Sequence, residues 1–332
     1  MLVSRADLED SLARVGAGVS DPRHGIHGPD SPAWKLQREA VVFLGGGRAA
    51  LLQLAHPYVA YGVDQHSKTR VDVIGRFQRT FMAVFAMTFG DLQEAFTAAR
   101  RVHQVHTHIT GVFPEAIGPF AKGETYHAND TAALLWVYAT LIDTVVSTTE
   151  LVRGKLPAAE KEAYYRDTWS FARLFGIPDA VLPPDWPSFE RYVEQMIASS
   201  TLTVAPPARD MARFLFGRGP GQEQSRLASV LELVTAGLLP EKLRDQFGLP
   251  FGLREKAEMT ALLTAVRAGH RALPRALRYL PAYIDAERRI AGEQPSMMSA
   301  WFERRLFHLA GRVAGRASMP PRRRRAFVRG AA

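Results

Sequence analysis

Apolar residues along this chain recur at intervals of three and four, the period of an amphipathic helix, and no segment alternates for long enough to make a half-buried strand. The expected fold class is therefore all-α, a single multi-helix bundle. Breaks in the pattern fall at Gly45-Gly46-Gly47, His56-Pro57, Gly90-Asp91, Gly111, Gly154, Gly176 to Pro178, Pro183-Pro184, Pro206-Pro207, Gly217 to Gly221 and Gly248 to Gly252. They divide the chain into about a dozen helices. Two helices are sharply bounded. Asp91, after Gly90, caps one that runs to His108 with Gly111 as its C-terminal stop. Asn129-Asp130 opens the other, which continues to Arg153 and ends at Gly154.

The domain reading is simple: residues 1–30 form an N-terminal extension, 31–295 one helical domain, and 296–332 a C-terminal helix and basic tail. No internal repeat interrupts it, and the stretch from Pro206 to Gly221 is the candidate hinge. The most apolar stretch, Thr131 to Val146, is interrupted by Asp143 and is shorter than the roughly 20 residues needed to cross a bilayer. The first residues are rich in acidic side chains and lack the basic and apolar regions of a secretory signal, so a cytoplasmic location is expected.

Composition narrows the chemistry. There is no cysteine, which removes thiolate nucleophiles, iron–sulfur clusters, thiolate-ligated haem and Cys-bound zinc. The net charge of +9 owes much to the last segment, where Arg322 to Arg325 follow two prolines. Without interleaved aromatics, that run reads as a solvated tail able to touch an acidic membrane surface, not as a specific nucleic-acid site.

Histidine is the informative residue: six of the ten (His56, His66, His103, His106, His108 and His127) fall between positions 56 and 127. His103 and His106 are three apart and share a helix face, while His108 points elsewhere. A ferritin-like di-iron site needs two Glu-x-x-His pairs, and only Glu124 to His127 has that spacing. The zincin motif is absent. A haem asks least, one axial histidine on a helix and an apolar, aromatic pocket. Taken by themselves, however, two histidines three apart on a helix are more often structural than ligands.

The stretch from Arg38-Glu39 through Gly45-Gly46-Gly47-Arg48 to His56-Pro57 resembles the opening signature of the MpaB oxygenase family, which includes the latex-clearing rubber oxygenases. The likeness continues through Gly62-Val63, His66-Ser67, Gly75-Arg76, Arg79-Thr80, Phe89-Gly90, Arg101-Val102, His106 and Gly111, then Tyr126, Asp130 and Leu135-Trp136-Val137. A weaker match runs through Leu182-Pro183 and from Leu243 to Ala286.

The resemblance implies an all-α bundle enclosing a haem b pocket, with His106 as the proximal iron ligand. His103 would act beside it, orienting His106 or a haem propionate. Arg76 and Thr80 match pocket-lining residues of the rubber-cleaving members. Those members carry a lysine just before the threonine that can cap the distal iron. Here Arg79 stands in its place and, always protonated, cannot ligate. The distal position would then be open, water-filled or taken by His56 or His66. The segment from Pro57 to Val63 also lacks the carboxylate proposed as base in rubber cleavage. The implied activity is oxygen chemistry on a small lipophilic substrate with dioxygen, with room for an electron donor. Two readings compete with it: a non-catalytic haem-binding or sensing protein, and a helical interaction protein whose histidines are structural.

Overall fold

The computed structural model describes residues 1–66 and 73–294, with the side chains of 73–78 set aside. Helices dominate it, as the sequence periodicity predicts. α1 (Arg5–Ala17) opens on a reciprocal cap between Ser4 and Asp7. It is followed by α2 (Pro32–Gln37), a 3₁₀ turn over Ala40–Gly45, α3 (Gly46–Leu54), α4 (Pro57–His66), α5 (Val73–Phe89) and α6 (Leu92–Thr107). A short antiparallel hairpin, β1 (Thr110–Val112) and β2 (Thr125–His127), separates these from α7 (Thr131–Arg153). The second half comprises α8 (Ala158–Asp167), α9 (Trp169–Arg173), α10 (Trp186–Ala198), α11 (Pro206–Leu215), α12 (Arg226–Leu238), α13 (Glu241–Phe247), α14 (Leu253–His270), α15 (Arg275–Arg278) and α16 (Pro281–Ile290).

Both sharply bounded helices form where their caps predict. The Asp91 side chain accepts from the Glu94 amide while Glu94 reaches back to the Asp91 amide. Asp130 accepts from the amides of Ala132 and Ala133, and Gly154, at φ 90°, ends α7.

Gly111 departs from expectation. α6 stops at Thr107, and Gly111 sits in β1 opposite Tyr126. A Cβ there would collide with Gln65 and the Tyr126 ring, so the glycine serves close packing instead of helix termination. The hairpin itself breaks the all-helical expectation locally. Its three-residue strands are too short to show alternation.

α7 is the axis of the core. It runs 23 residues, farther than the apolar stretch to Val146 suggests, and by length and composition it could cross a bilayer. Two thirds of its most apolar window is instead buried inside the protein, against α3, α10, α14 and the turn before α3. Trp136 and Tyr138 are fully enclosed there: the Trp136 indole donates to the Leu52 carbonyl and the Tyr138 hydroxyl meets Thr168.

A polar stripe at i, i+4 and i+8 runs along one face of α7, where Thr140, Thr144 and Thr148 face α3. Gln53 donates to Thr140 at 3.0 Å and Arg48 to Thr144 at 2.9 Å, while Thr148 closes on Gly45. Gly47 makes the matching approach to Thr235 of α12. The triple glycine is thus a place where helices come unusually close. Asp143, whose partner the sequence leaves unnamed, pairs with Arg48 at 2.7 Å.

The N-terminal residues 3–15 belong to the same core through Val3, Leu8, Leu12 and Val15.

Candidate functional site

The site grows from a stripe of aromatics. Phe81, Phe85 and Phe89 recur every four residues on α5 and share one face. They meet Phe43 from the 3₁₀ turn, with ring centroids 5.6 Å apart for Phe43–Phe81 and 5.7 Å for Phe43–Phe85. These rings form one side of an apolar cavity that α3, α4 and α7 close from the others. Among the described residues its polar side chains are Gln37, Gln53, Thr80, Thr88 and Thr144, and none of the described lining side chains is ionisable. Gly46 lies on the wall across from Phe81, where even a methyl would only touch the ring.

The cavity holds about 180 Å³. That is below the roughly 300–1,000 Å³ typical of sites for drug-sized ligands and close to cavities of about 150 Å³ that take benzene. It has room for a small apolar group, not for a whole porphyrin. Among its described lining residues there is no nitrogen base.

The expected site residues are distributed unequally around it. Thr80 lines the cavity and is exposed, so the cavity opens to solvent beside it. Arg79, also exposed, precedes it on α5. Arg76 lies one turn earlier on the same helix, its side chain outside the described residues, as are Arg322 to Arg325. His106 is half-buried near the C-terminal end of α6, which packs against α5.

The other histidines have structural contacts. His103 is buried, and its Nε2 donates to the Val3 carbonyl at 3.0 Å. It thereby ties α6 to the N-terminal segment. His66 is exposed at the end of α4 and donates to the Thr110 carbonyl of β1 at 2.9 Å.

His56 is buried between helices, beside Tyr58 and Phe120. Its Nδ1 accepts from the Tyr58 amide at 3.2 Å, so it caps the start of α4 instead of donating to a free carbonyl at the end of α3. Burial away from water pushes its pKa down to about 4, leaving the ring neutral.

One half-buried imidazole, His106, lies on α6, which packs against α5, the helix that carries the aromatic wall and Thr80. Among the described residues no three His, Cys, Asp or Glu side chains converge as a ligand set for a bare metal ion.

Sequence reasoning missed a second cluster. Glu39, 2% exposed, receives Nε2 of His270 at 3.1 Å and both Nη2 and Nε of Arg278, at 3.0 and 3.1 Å. Leu280, two residues beyond Arg278, lines the cavity. The Glu39 carboxylate is adjacent to the glycine signature, but its partners lie about 230 residues away, and no local pattern connects them.

Comparison with known proteins gives the following. A family model described as "ER-bound oxygenase mpaB/B'/Rubber oxygenase, catalytic domain" matches residues 34–268. Two curated relatives, both described as uncharacterized proteins, come from Mycobacterium bovis and Mycobacterium tuberculosis. Each is 23% identical over 232 residues, spanning 68% of this chain and 87% of the relative. No solved structure matches the chain.

Proposed function

The chain belongs to the family of ER-bound oxygenase mpaB/B' and rubber oxygenase catalytic domains, and on that footing we propose that it is a haem b-dependent oxygenase acting on a small lipophilic substrate. The observation that carries this reading is the phenylalanine-walled cavity, uncharged among its described lining residues and touching Thr80 on α5, against which α6, the helix of His106, packs.

Each group has a role in this proposal. His106 would supply the imidazole that holds the haem, the role the family resemblance gives it. His103 is engaged by Val3, and His108 is the exposed residue that ends the helix. When bound, the haem would supply the activation of dioxygen, chemistry no protein side chain performs alone. Arg76 and Arg79 carry positive charge on the first turns of α5, suited to anionic propionates. Thr80, at the solvent mouth, offers a hydroxyl that can donate or accept.

The cavity selects the substrate by exclusion. An ion entering it would lose its hydration with no countercharge among the described wall residues, whereas an apolar group gains about 25 cal/mol for each Å² removed from water. Water is disfavoured there for the same reason, which protects an oxidising centre from side reactions. Its modest volume fits a reacting apolar segment. Rubber cleavage itself is not part of the proposal, because Pro57 to Val63 offers no carboxylate base.

The test is the visible absorption spectrum of the purified protein beside His106→Ala, with haem content by pyridine haemochrome. The reading predicts a Soret band near one haem per chain, lost or shifted in the variant while helicity is retained. Oxygen uptake with a reductant then separates an oxygenase from a haem carrier. A colourless protein that stays colourless after haem reconstitution overturns the proposal.

A further inference from the structure

The matched family domain ends at residue 268, yet the cavity is completed by a residue beyond it. Leu280 is 2% exposed and reaches the wall from the link between α15 and α16. Its neighbours Tyr283 and Ala286 pack with Trp34 and Phe89 in a separate small cluster, flanked by Val42, Phe43 and Phe85 from the cavity wall. The segment 275–290 therefore closes over the aromatic side of the cavity as a strap.

The strap is fastened at both ends. At one end the buried Glu39 carboxylate holds Arg278 and His270, and the Leu280 amide donates to the Arg38 carbonyl at 2.7 Å. The Arg38 guanidinium lies 4.7 Å from the Tyr279 ring centroid, and its Nη1 donates to the Tyr283 hydroxyl. At the other end Arg289 donates to the carbonyl of Phe89, itself a wall residue, at 2.7 Å. Trp34 fills the space between, 5.6 Å from Phe89 and 5.7 Å from Tyr283. A segment held on both sides by ion-pair, hydrogen-bond and aromatic contacts keeps Leu280 against the wall.

We infer that Leu280 is a specificity-determining residue, setting how large an apolar ligand the cavity takes, and that Glu39 and Arg278 are positioning residues that hold it there. This rests on the reading of the cavity as the ligand site but not on the cofactor. A buried ion cluster of this kind favours one arrangement of a segment over alternatives more than it adds stability. Its place next to the cavity wall gives that fixed arrangement a purpose. Size selection by a single aliphatic side chain is ordinary pocket chemistry, where one methylene group changes affinity by about 10–200-fold.

The experiment uses the full chain as purified and two neutral probes, benzene and pyrene. Benzene binding is read from the rise in unfolding temperature, and pyrene binding from its vibronic intensity ratio. Wild type should bind benzene and take pyrene weakly. Leu280→Ala should gain about tenfold or more in pyrene affinity while still binding benzene, and Leu280→Phe should weaken both. Glu39→Gln leaves the wall atoms in place but loosens the strap, so it should move pyrene binding in the same direction as Leu280→Ala. Far-UV circular dichroism identifies which variants are folded, and any one folded Leu280 variant decides the question. Unchanged pyrene affinity in a folded Leu280 variant overturns the proposal. Failure of wild type to bind benzene overturns the cavity reading and the proposal together. Neither probe needs iron, so a negative haem test leaves this result standing.

Discussion

Arg48 Nη2 lies 2.7 Å from Asp143 Oδ2, with only 8% and 17% of the two side chains exposed, and this pair joins α3 to α7 beside the cavity. Arg48 also donates to the Leu238 carbonyl and to Thr144, so three elements converge on one guanidinium. Removing one member of such a pair leaves the other charge buried. Asp143→Ala should destabilise the protein by about 3–5 kcal/mol. Arg48→Met with Asp143→Leu should lose markedly less than the two single variants added together. Urea unfolding of the four proteins, treated as a double-mutant cycle, measures the coupling.

His56 gives a pH dependence whose sign is fixed by burial. Its pKa is about 4 in the folded protein against 6.5 for the free group, so between these values the unfolded chain binds the extra proton. Stability from this site is complete above about pH 6.5 and is lost progressively as the pH falls towards 4, by about 3 kcal/mol in all. His56→Asn can keep the helix cap without a titrating ring. Its stability at pH 4.5 should fall less, relative to pH 7, than that of wild type.

At Gly47 an added methyl would run into Thr235 and stand 3.3 Å from Leu231. Gly47→Ala should cost about 1–3 kcal/mol by overpacking, and Thr235→Ala in the same chain should recover part of it. Failure of the second substitution to rescue the first would show that α3 and α12 are not in the contact described.

His103 and His106 should separate cleanly. His103→Ala removes the bond to Val3 and should cost about 1–3 kcal/mol through an unsatisfied buried carbonyl, with the absorption spectrum of the holoprotein unchanged. His106→Ala should change the spectrum. A spectral effect as large for His103 as for His106 would return His103 to the cofactor.

The residues that were legible in the sequence owe it to local chemistry. Asp91 with Glu94, and Asp130 with Gly154, state their helix ends within a few positions, and both helices formed there. The same local logic misassigned Gly111: a glycine shortly after a helix looks like its stop, but the space it spares is occupied by Tyr126 and Gln65, far off in the chain. The Arg48–Asp143 pair and the Glu39 cluster were illegible because their partners are set by packing, 95 or more residues apart. The aromatic stripe of α5 went unremarked in the sequence although Phe81, Phe85 and Phe89 recur every four residues, and its closure by Leu280 depends on how the last helices fold back. His103 and His106 share a helix face by spacing, and the bond from His103 to Val3 could not be read from it, because Val3 lies 100 residues away.

The position of α7 in the chain has a consequence for how the protein is made. The longest helix among the described residues, α7, leaves the ribosome only after α1 to α6 are synthesised, including the α3 and N-terminal segment that will cover and cap it. At roughly 5–20 residues per second, its exposed interval is set mainly by the wait for α10 and α14. Chain order thus places α3 and the turn before it ahead of the helix they cover, and a circular permutant beginning at α7 should depend on chaperones more than the natural order does.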